Sequence, residues 1–354
     1  MSSERAVANT FDLGGAVVDI APFGHGLIND TFLVTTAAGH AVLQRINRRA
    51  FPHPELIMQN LRLLADHIGG RRLALRVPTI LPARDGKDYV IDADGGFWRA
   101  MSYVENTVTF DTISNLKQAE EVGTALGRFH ALASGLDPER LHVTRPGFHQ
   151  TPQYYARFVE AAAGTRATDA DMQWCLTFAE SRAAIVSVLE DARRDGRISL
   201  RGIHGDPKLN NFLFDRSSGR VASLIDLDTL QPGLVHYDIG DCLRSSGNPA
   251  GESPANLGEV RFDLDICRAI LTHYLTEART FLTPNDQALL YDAIRLIPLE
   301  LGLRFLTDHL LGDVYFKIEW RGQNLHRALV QFRLTADIEK NEPHVRSLIA
   351  ELGG

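Results

Sequence analysis

The stretch IHGDPKLNNFLFDRSSGRVASLIDLD, residues 203–228, decides how the rest of the chain is interpreted. A short apolar run ends in the triplet HGD, which supplies Asp206, and Asn211 follows five residues later. The segments NFLFD and VASLIDLD predict two short strands joined by a polar turn. Alternation along the second strand would place Asp226 and Asp228 on one face. The pattern therefore predicts a hairpin that gathers carboxylates and an amide at one point.

Phosphoryl transfer requires an acceptor oxygen held in line with the phosphate, and metal ions that neutralise the phosphate oxygens. Asp206 has the position of a base that accepts the proton of the acceptor hydroxyl. Asn211 and Asp226 are the expected ligands of Mg²⁺, which takes few carboxylates in addition to phosphate oxygens and water. The spacing of these three residues predicts a phosphotransferase of the kinase type that uses ATP and Mg²⁺.

Other polar residues near this hairpin leave more than one interpretation open. Lys208 fits either a contact with the γ-phosphate or an exposed lysine. His204 is expected to bond the backbone near the metal site rather than to act as a base. Asp238 begins a predicted helix, where it would brace the catalytic turn or cap the helix, and we favour the brace. Asp241 and Arg244 remain candidates for substrate contacts.

The composition of the 354 residues is that of an ordinary soluble globular protein, with 44% hydrophobic and 23% charged residues. A net charge of -7 argues against a nucleic-acid partner, because phosphate backbones require a basic surface. The sequence has no apolar leader and no run of the ~18 apolar residues that a membrane span needs. Three widely spaced cysteines fit no metal site or disulfide framework. We therefore expect a cytoplasmic protein away from membranes, as a monomer or a homodimer.

Strand signals dominate the first hundred residues. VVDIAPFG, DTFLVTT and HAVLQRIN predict three strands. A helix is expected within PELIMQNLRLLADHIGG, with Pro54 near its first turn and Gly69 and Gly70 past its end. RVPTILPA, KDYVIDAD and FWRAMSYVE would complete the sheet. Strands interrupted by one helix predict a small α+β lobe.

After Val104 the helical period replaces these strand signals, and only the central hairpin interrupts it. The chain is therefore expected to have an α+β fold with a small β-rich N-terminal lobe, residues 1–104, and a larger, mainly helical C-terminal lobe, residues 105–354. The predicted helices of the second lobe are 115–135, 151–163, 172–194, 263–281, 284–311 and 324–340.

The hairpin and its surroundings resemble the aminoglycoside phosphotransferase and choline kinase superfamily, which has the two-lobed protein-kinase-like fold. Four further stretches are distinctive, namely GHGLINDTF (24–32), VLQRIN (42–47), PGFHQTP (146–152) and GLRFLTDHLLGDVYFK (302–317), of which the last is the most specific. They carry a closer resemblance, to bacterial N-acetylhexosamine 1-kinases. This resemblance implies transfer of the γ-phosphate of ATP to the anomeric hydroxyl of N-acetylglucosamine or N-acetylgalactosamine, with Asp206 as base.

The segment GHGLIND joins two predicted strands, where a glycine-rich loop covers the phosphates in kinases. Gly24 and Gly26 would allow close approach of the backbone to a phosphate. His25 and Asn29 are expected to donate to phosphate or to reach the sugar. An ordinary hairpin loop is the alternative interpretation of this segment.

The third predicted strand departs from the protein-kinase pattern, in which a lysine on this strand pairs with a glutamate of the next helix. Gln44 stands where that lysine is expected. A hydrogen bond between Gln44 and Gln59 would replace the ion pair. Otherwise Arg45 would provide the charge for the phosphates, although strand alternation turns it to the other face.

Residues 102–108 are expected to link the two lobes. Adenine would bond the backbone there, at Tyr103, Val104 and Glu105. This prediction rests on position alone, because recognition by the backbone has no side-chain signature.

A sugar requires converging hydrogen-bond partners and an aromatic or apolar floor. Arg304 and Asp308 are four residues apart and share a helix face, and Tyr315 follows in the next loop. All three are predicted to bind the acceptor. An ordinary ion pair between Arg304 and Asp308, and core packing of Tyr315, are the structural alternatives. His149 would line the same pocket or cap the helix that follows it.

The leading hypothesis is therefore a kinase whose small-molecule partners are a nucleotide and an N-acetylhexosamine. The alternative is a kinase for another small alcohol, such as an aminoglycoside, choline or homoserine. A cationic acceptor would require an acidic or aromatic box, and the spacing of the acids does not decide this point. A nucleotide-binding module without catalysis is disfavoured, because Asp206, Asn211 and Asp226 are all present.

Overall fold

The computed structural model describes residues 3–24, 28–70, 74–167 and 169–353. Its strands are β1 (Val17–Pro22), β2 (Asp30–Thr36), β3 (Gly39–Ile46), β4 (Ile80–Leu81), β5 (Val90–Ile91), β6 (Phe97–Ser102), β7 (Thr107–Val108), β8 (Arg201–Ile203), β9 (Phe212–Asp215), β10 (Val221–Leu224) and β11 (Gln231–Gly233). Its α-helices are α1 (Ser3–Ala8), α2 (Pro54–Ile68), α3 (Leu116–Ala133), α4 (Thr151–Ala162), α5 (Ala170–Glu180), α6 (Val188–Arg194), α7 (Val235–Ser246), α8 (Leu264–Ala278), α9 (Pro284–Ala288), α10 (Leu290–Leu310), α11 (Gln323–Lys340) and α12 (Glu342–Gly353).

An antiparallel sheet in the order β1-β2-β3-β6-β4, with β5 also paired to β6, forms the first lobe. This sheet, followed by a helical C-terminal region, confirms the predicted α+β fold. In the register of β3 and β6, Gln44 lies opposite Arg99 and Arg45 lies opposite Trp98. Because directly opposed residues point to the same side of a sheet, Gln44 and Arg99 share one face.

Helix α2 ties the first lobe to the second. Pro54 opens the helix, and Gly69 ends it in the left-handed conformation at φ 54°. The amide of Asn60 is buried and donates at 2.8 Å to the main-chain oxygens of both His142 and Leu230. Hydrogen bonds from one buried side chain to two distant segments fix the position of this helix.

The chain leaves the large sheet after Ser102 and enters the second lobe at β7, which pairs with β9. Strands β9 and β10 form the central hairpin, and β8 pairs with β11. One-turn 3-10 helices lie directly before β9, at Leu209–Asn211, and shortly after β10, at Leu227–Thr229, both at the open end of the hairpin. The predicted catalytic residues therefore lie on turns that these short strands hold in place.

Helices build the rest of the second lobe. Helix α10 packs against α4, α7 and α11, and α3 packs against α8. A Cβ atom at Gly123 of α3 would lie 2.2 Å from the carbonyl oxygen of Ile270 in α8. Only glycine therefore permits this close contact between the two helices.

Some elements differ from the sequence-based predictions. The predicted helix 172–194 is divided into α5, a 3-10 turn at Ala183–Ile185 and α6. The helix predicted at 284–311 is divided at Leu289 into α9 and α10, and neither α1 nor α12 was predicted. Strand β10 ends at Leu224, so Asp226 does not lie on a strand as predicted. The cause is its backbone, since φ 67° and ψ 55° at Asp226 are left-handed and cannot continue a strand.

No helix in the described part of the chain is long and apolar enough to span a membrane. Cys175, Cys242 and Cys267 are buried free thiols. Burial raises the pKa of the Cys175 thiol to about 12, so this cysteine is an inert core residue at neutral pH.

Candidate active site

The catalytic turn, residues 204–206, follows β8 and is fixed by a carboxylate of α7. Asp238 accepts hydrogen bonds from the N–H groups of His204 at 2.7 Å and Gly205 at 2.8 Å. Nε2 of His130 lies 2.8 Å from the same carboxylate. Burial acts to raise the pKa of Asp238, but these partners outweigh it and hold the pKa below its ordinary value. Asp238 is therefore an ionised brace of the turn, which confirms the favoured prediction.

His204 is a structural residue of the turn, as predicted. Its Nδ1 accepts from the N–H of Asp206 at 3.2 Å, so its Nε2 carries the proton and donates to the carbonyl oxygen of Ile225 at 2.9 Å. Burial lowers the pKa of His204 and keeps the ring neutral. Gly205 has φ 87°, and a Cβ there would lie 2.7 Å from the carbonyl oxygen of Thr229. The HGD triplet thus combines a turn that requires glycine with a histidine that bonds the main chain directly after β10.

His149 is a second histidine that holds the turn. Its backbone is left-handed at φ 58°, and its Nε2 lies 2.7 Å from the carbonyl oxygen of Gly205. Its Nδ1 lies 3.0 Å from the Glu300 carboxylate, which also accepts a hydrogen bond from Thr151 at 2.7 Å. Both ring nitrogens are engaged by the protein. His149 was predicted to line the sugar pocket or to cap the next helix. In the structure its ring holds the turn in position.

Asp206, the predicted base, is half-buried and carries its own counter-ion. Nζ of Lys208 donates to its Oδ2 at 2.9 Å. Burial acts to raise the pKa of Asp206, but the ammonium of Lys208 outweighs it and holds the pKa below the ordinary value. The carboxylate is therefore ionised at neutral pH and can accept a proton.

Asn211 and Asp226 have the chemistry of magnesium ligands. Nδ2 of Asn211 donates to the main-chain oxygen of Asp206 at 2.8 Å, which leaves its Oδ1 without a hydrogen bond among the described residues. The Asp226 carboxylate likewise has no hydrogen bond or ion pair within that part of the chain. Burial and the charge of Asp228 raise the pKa of Asp226 to about 7. A divalent cation would offset both effects, so these two residues fit Mg²⁺.

No group of three or more His, Cys, Asp or Glu side chains placed to hold a metal occurs in the described ranges. A magnesium ion at a phosphotransfer site takes most of its ligands from phosphate oxygens and water, so it needs only one or two protein ligands. The small set formed by Asn211 and Asp226 is therefore compatible with the predicted metal.

Asp228 contacts two side chains of the first lobe. Its carboxylate forms an ion pair with Arg99 of β6, and both side chains are buried. Asn29 donates to its other oxygen at 2.6 Å, and Oδ1 of Asn29 accepts from the N–H of Asn47 at 3.0 Å. Asn29, predicted to contact phosphate or sugar, thus lies at the junction of the two lobes.

The predicted hydrogen bond between Gln44 and Gln59 is wrong. Oε1 of Gln44 accepts from Nε and Nη2 of Arg99 at 3.0 and 2.7 Å, and its Nε2 donates to Thr31 at 3.2 Å. Gln59 is exposed on α2. Arg45 lies on the other face of the sheet, with its guanidinium 5.8 Å from the Trp98 ring centre, as alternation requires. The cation on the face of Gln44 is therefore Arg99.

The remaining nucleotide-side predictions fall on the β1–β2 loop and on the link between the lobes. Gly24 has the left-handed φ of 74°, whereas His25 and Gly26 lie outside the described residues. Tyr103 packs edge-on against Phe23 at 5.9 Å.

In the link itself, the carboxylate of Glu105 lies 2.7 Å from Nδ1 of His40. The N–H groups of Val104 and Glu105 make no hydrogen bond within the described part of the chain. These two N–H groups are therefore free to form hydrogen bonds with the nucleobase of a nucleotide.

Two arginines, Arg145 and Arg304, lie within electrostatic reach of Asp206. The guanidinium of Arg304 is surrounded by rings, at 5.5 Å from Phe148 and 5.2 Å from Tyr154. Nη2 of Arg145 donates to the hydroxyl of Tyr315 at 2.5 Å. The negative charge of Asp206 acts on both arginines. The pKa of Arg145 is lowered mainly by its burial and secondly by the positive charge of Arg304. Neither arginine forms a salt bridge among the described residues.

Asp308 holds the loop that carries Tyr315. Its carboxylate accepts from the N–H groups of Val314 at 3.0 Å, Tyr315 at 2.8 Å and Phe316 at 2.9 Å, and from Asn324 at 2.9 Å. With both oxygens engaged, Asp308 forms no ion pair with Arg304. The structure therefore gives it the position of a loop anchor, through which it would act on the acceptor.

The sequence reasoning missed Arg99, Arg145 and Glu300. A charged residue inside the apolar strand FWRAMS was a signal for Arg99, because an arginine is almost never buried without a partner. Arg145 directly precedes the segment PGFHQTP, which had been singled out. Glu300 had no local signal, since its partners His149 and Thr151 are about half the chain away.

Comparison with known proteins supports this architecture. Residues 19–269 match the model of the APH phosphotransferase enzyme family. An aminoglycoside phosphotransferase from Alicyclobacillus acidocaldarius aligns over 100% of this chain and 97% of its own, with a TM-score of 0.66 and 16% identity. A microcompartment-associated aminopropanol kinase aligns over 96% of this chain and 97% of its own, with a TM-score of 0.62 and 20% identity. Spectinomycin phosphotransferase APH(9)-Ia, solved with ADP and spectinomycin, aligns over 92% of this chain and 95% of its own, with a TM-score of 0.58 and 11% identity.

These identities are low, so the three structures show a shared fold only. The family model covers well over half of the chain and includes the catalytic turn, the hairpin and α7. The chain therefore belongs to the APH phosphotransferase enzyme family.

Proposed function

We propose that the chain transfers the γ-phosphate of ATP to the anomeric hydroxyl of an N-acetylhexosamine. Family membership accounts for the phosphotransferase class, and the acceptor is the new part of the proposal. The observation that carries it is the cluster of Arg145, Arg304 and Tyr315 near Asp206.

This cluster suits a neutral acceptor rich in oxygen atoms. Guanidinium groups donate to hydroxyl and amide oxygens, and the rings around Arg304 offer apolar surface to the carbon face of a sugar. Two arginines without a salt bridge also make this side of the site positive, and like charges repel. A cationic alcohol would be disfavoured there, which is the reason for preferring a sugar.

The reaction follows from the geometry of the turn. The Asp206 carboxylate accepts the anomeric proton while the anomeric oxygen forms a bond to the γ-phosphorus and the bond from that phosphorus to the β-phosphate oxygen breaks. The products are a hexosamine 1-phosphate and ADP. The low pKa of Asp206 is sufficient because the ring oxygen makes an anomeric hydroxyl more acidic than an ordinary alcohol. Asn211 and Asp226 would hold Mg²⁺, whose charge neutralises the phosphate oxygens.

The nucleotide is proposed to lie between the lobes, residues 1–104 and 105–354. The left-handed turn at Gly24 would allow the β1–β2 loop to approach the phosphates. The free N–H groups of Val104 and Glu105 would bond adenine. The ADP found in the spectinomycin phosphotransferase supports the use of a nucleotide by this fold.

The second candidate function is phosphorylation of a small amino alcohol. Its support is that similar structures include an aminopropanol kinase and an aminoglycoside phosphotransferase. Asp241 is buried near Asp206, and its Oδ1 is paired with Nε of Arg244 at 2.8 Å. Its Oδ2 lacks a hydrogen-bond partner among the described residues and is the atom proposed to meet a cationic acceptor.

An acceptor panel decides between the two. The protein with ATP and Mg²⁺ is given N-acetylglucosamine, N-acetylgalactosamine, glucose, choline, 1-amino-2-propanol, homoserine and kanamycin, and ADP release is measured. We expect turnover with the two N-acetylhexosamines, and phosphorus coupling to the anomeric proton in the product. Turnover confined to the cationic alcohols would refute the proposed acceptor and support the second candidate.

A further inference from the structure

A buried arginine stands where the first lobe faces the metal ligands. Arg99 lies in β6 with only 3% of its surface exposed. Its Nε and Nη2 donate to Oε1 of Gln44, and its Nη2 also pairs with Asp228. The positive charge of Arg99 acts on Asp226, which places the guanidinium within electrostatic reach of the expected magnesium ligand.

One nitrogen of this guanidinium has no protein partner. Nη1 of Arg99 is buried and makes no hydrogen bond with the described residues. A buried donor of a charged group that is left without an acceptor destabilises the protein, so such an atom requires an explanation. An acceptor oxygen of a ligand would supply one.

Gln44 cannot serve as the phosphate-binding cation itself. It occupies the strand position at which kinases carry a lysine, but its amide is neutral and already engaged by Arg99 and Thr31. Its carbonyl oxygen fixes the plane of the guanidinium through two hydrogen bonds at 3.0 and 2.7 Å. The residue at the lysine position therefore acts as an orienting partner for a cation on the neighbouring strand.

We infer that Arg99 is the phosphate-binding cation of this kinase, supplied by β6 in place of the lysine of β3, and that its Nη1 donates to a phosphate oxygen of the nucleotide. A guanidinium suits this role because it stays charged and presents several donors in a fixed plane. The inference rests on the nucleotide-dependent part of the proposed function and not on the identity of the acceptor.

The partner of this cation differs from that of a kinase lysine in one respect. Asp228 belongs to the second lobe, directly after the hairpin, and it is also held by Asn29 of the first lobe at 2.6 Å. The phosphate site is therefore complete only when the two lobes are together. Nucleotide binding through Arg99 would consequently be linked to closure of the lobes.

The alternative is that Arg99 and Asp228 form a lobe-joining ion pair without a role in binding. Nucleotide affinity measured without acceptor separates the two. Titration calorimetry of Arg99→Met with MgATP, MgADP and adenosine is expected to show a loss of about tenfold or more for both phosphorylated nucleotides, with adenosine unchanged. Arg45→Met removes a cation from the adjacent position on the other sheet face and should leave all three affinities unchanged.

The double variant Gln44→Lys/Arg99→Met restores a cation from β3 and should recover most of the lost affinity for MgATP. Retention of MgATP affinity in a folded Arg99→Met variant, or an equal loss for adenosine, would overturn the inference. If Arg99→Met does not unfold cooperatively, a crystal structure of the wild type with MgADP decides. Nη1 within hydrogen-bonding distance of a phosphate oxygen supports the inference, and a position beyond that distance refutes it.

Because no acceptor is present in these measurements, they remain valid if the N-acetylhexosamine proposal fails. Conversely, loss of phosphate binding in Arg99→Met says nothing in favour of that sugar.

Discussion

Nζ of Lys208 lies 2.9 Å from Oδ2 of Asp206, so the expected base is paired with a cation only two residues away in the chain. The ammonium of Lys208 is half-buried. The negative charges of Asp206 and, to a smaller extent, of Asp226 raise the pKa of Lys208. A lysine that lies close to both the proposed base and the proposed metal ligand fits a γ-phosphate contact better than a surface position. The interpretation of Lys208 as an exposed surface lysine is thereby disfavoured.

Replacement of Lys208 tests this role. Lys208→Met is expected to lower kcat by about 10-fold to 100-fold, because a hydrogen bond to a charged phosphate contributes about 1.5–3 kcal/mol. Initial rates at saturating ATP and acceptor measure the effect. Lys87→Met, at an exposed lysine paired with Asp85, is the matched control and should retain the wild-type rate. A wild-type kcat in Lys208→Met would restore the surface interpretation.

Removal of the base should abolish chemistry and leave nucleotide binding intact. Asp206→Asn keeps the shape but cannot accept the proton, so kcat should fall by about 10²-fold to 10⁴-fold. ADP release and the affinity for MgATP are the two measurements. The control is Asp215→Asn, at a half-buried carboxylate at the end of β9. An unchanged rate in Asp206→Asn would disprove the assignment of the base.

The acceptor site predicts a separation between two Michaelis constants. Arg304→Met should raise the KM for the acceptor by about tenfold or more, because a charged donor is lost, and should leave the KM for ATP unchanged. Asp308→Asn weakens the anchor of the loop at 314–316 and should act in the same direction through Tyr315. If both variants change only the KM for ATP, the acceptor does not lie on this side of Asp206.

The pair of His149 and Glu300 predicts a pH-dependent stability. Burial acts to lower the pKa of His149, but Glu300 more than offsets it, so the net pKa is raised. For Glu300 burial acts to raise the pKa, while His149 more than offsets it and the net pKa is lowered. The stability from His149 is present below its unfolded pKa of about 6.5 and is lost as pH rises through the folded value. That from Glu300 is present above about pH 4.3 and is lost as pH falls through its folded value.

His149→Gln should therefore reduce the free energy of unfolding most strongly between about pH 4.5 and pH 6.5, by about 3 kcal/mol. The difference from the wild type should decrease at higher pH, as the histidine of the wild type loses its proton. Urea unfolding at a series of pH values measures it. A difference that is constant across the series would mean that the pair is not ionic. Arg346→Met, at an exposed ion pair with Glu342, serves as the control.

Local patterns were sufficient to predict much of this molecule. The spacing of Asp206, Asn211 and Asp226 indicated a phosphotransferase, and the family match confirms that class. Strand alternation placed Arg45 on the face away from Gln44, as the structure shows. These features depend on residues close in sequence, where the chain geometry limits the arrangements.

Contacts between distant residues could not be predicted in this way. The partner of Gln44 was sought on the following helix, because protein kinases place it there, whereas the structure supplies Arg99 from the neighbouring strand. Asp226 and Asp228 had both been placed on one strand face, whereas the left-handed backbone at Asp226 lies beyond the end of that strand. The contact between Gln44 and Arg99 joins residues 55 positions apart, and the charged residue within the apolar strand FWRAMS was its local signal.

The bond from Asn29 to Asp228 joins residues that are 199 positions apart in the chain. On a ribosome, the first lobe emerges long before the carboxylate that must meet it. Domains begin to fold as they emerge, and contacts between such distant segments can only form late. During synthesis the strand that carries Arg99 is therefore complete well before Asp228, its counter-ion, has been added to the chain.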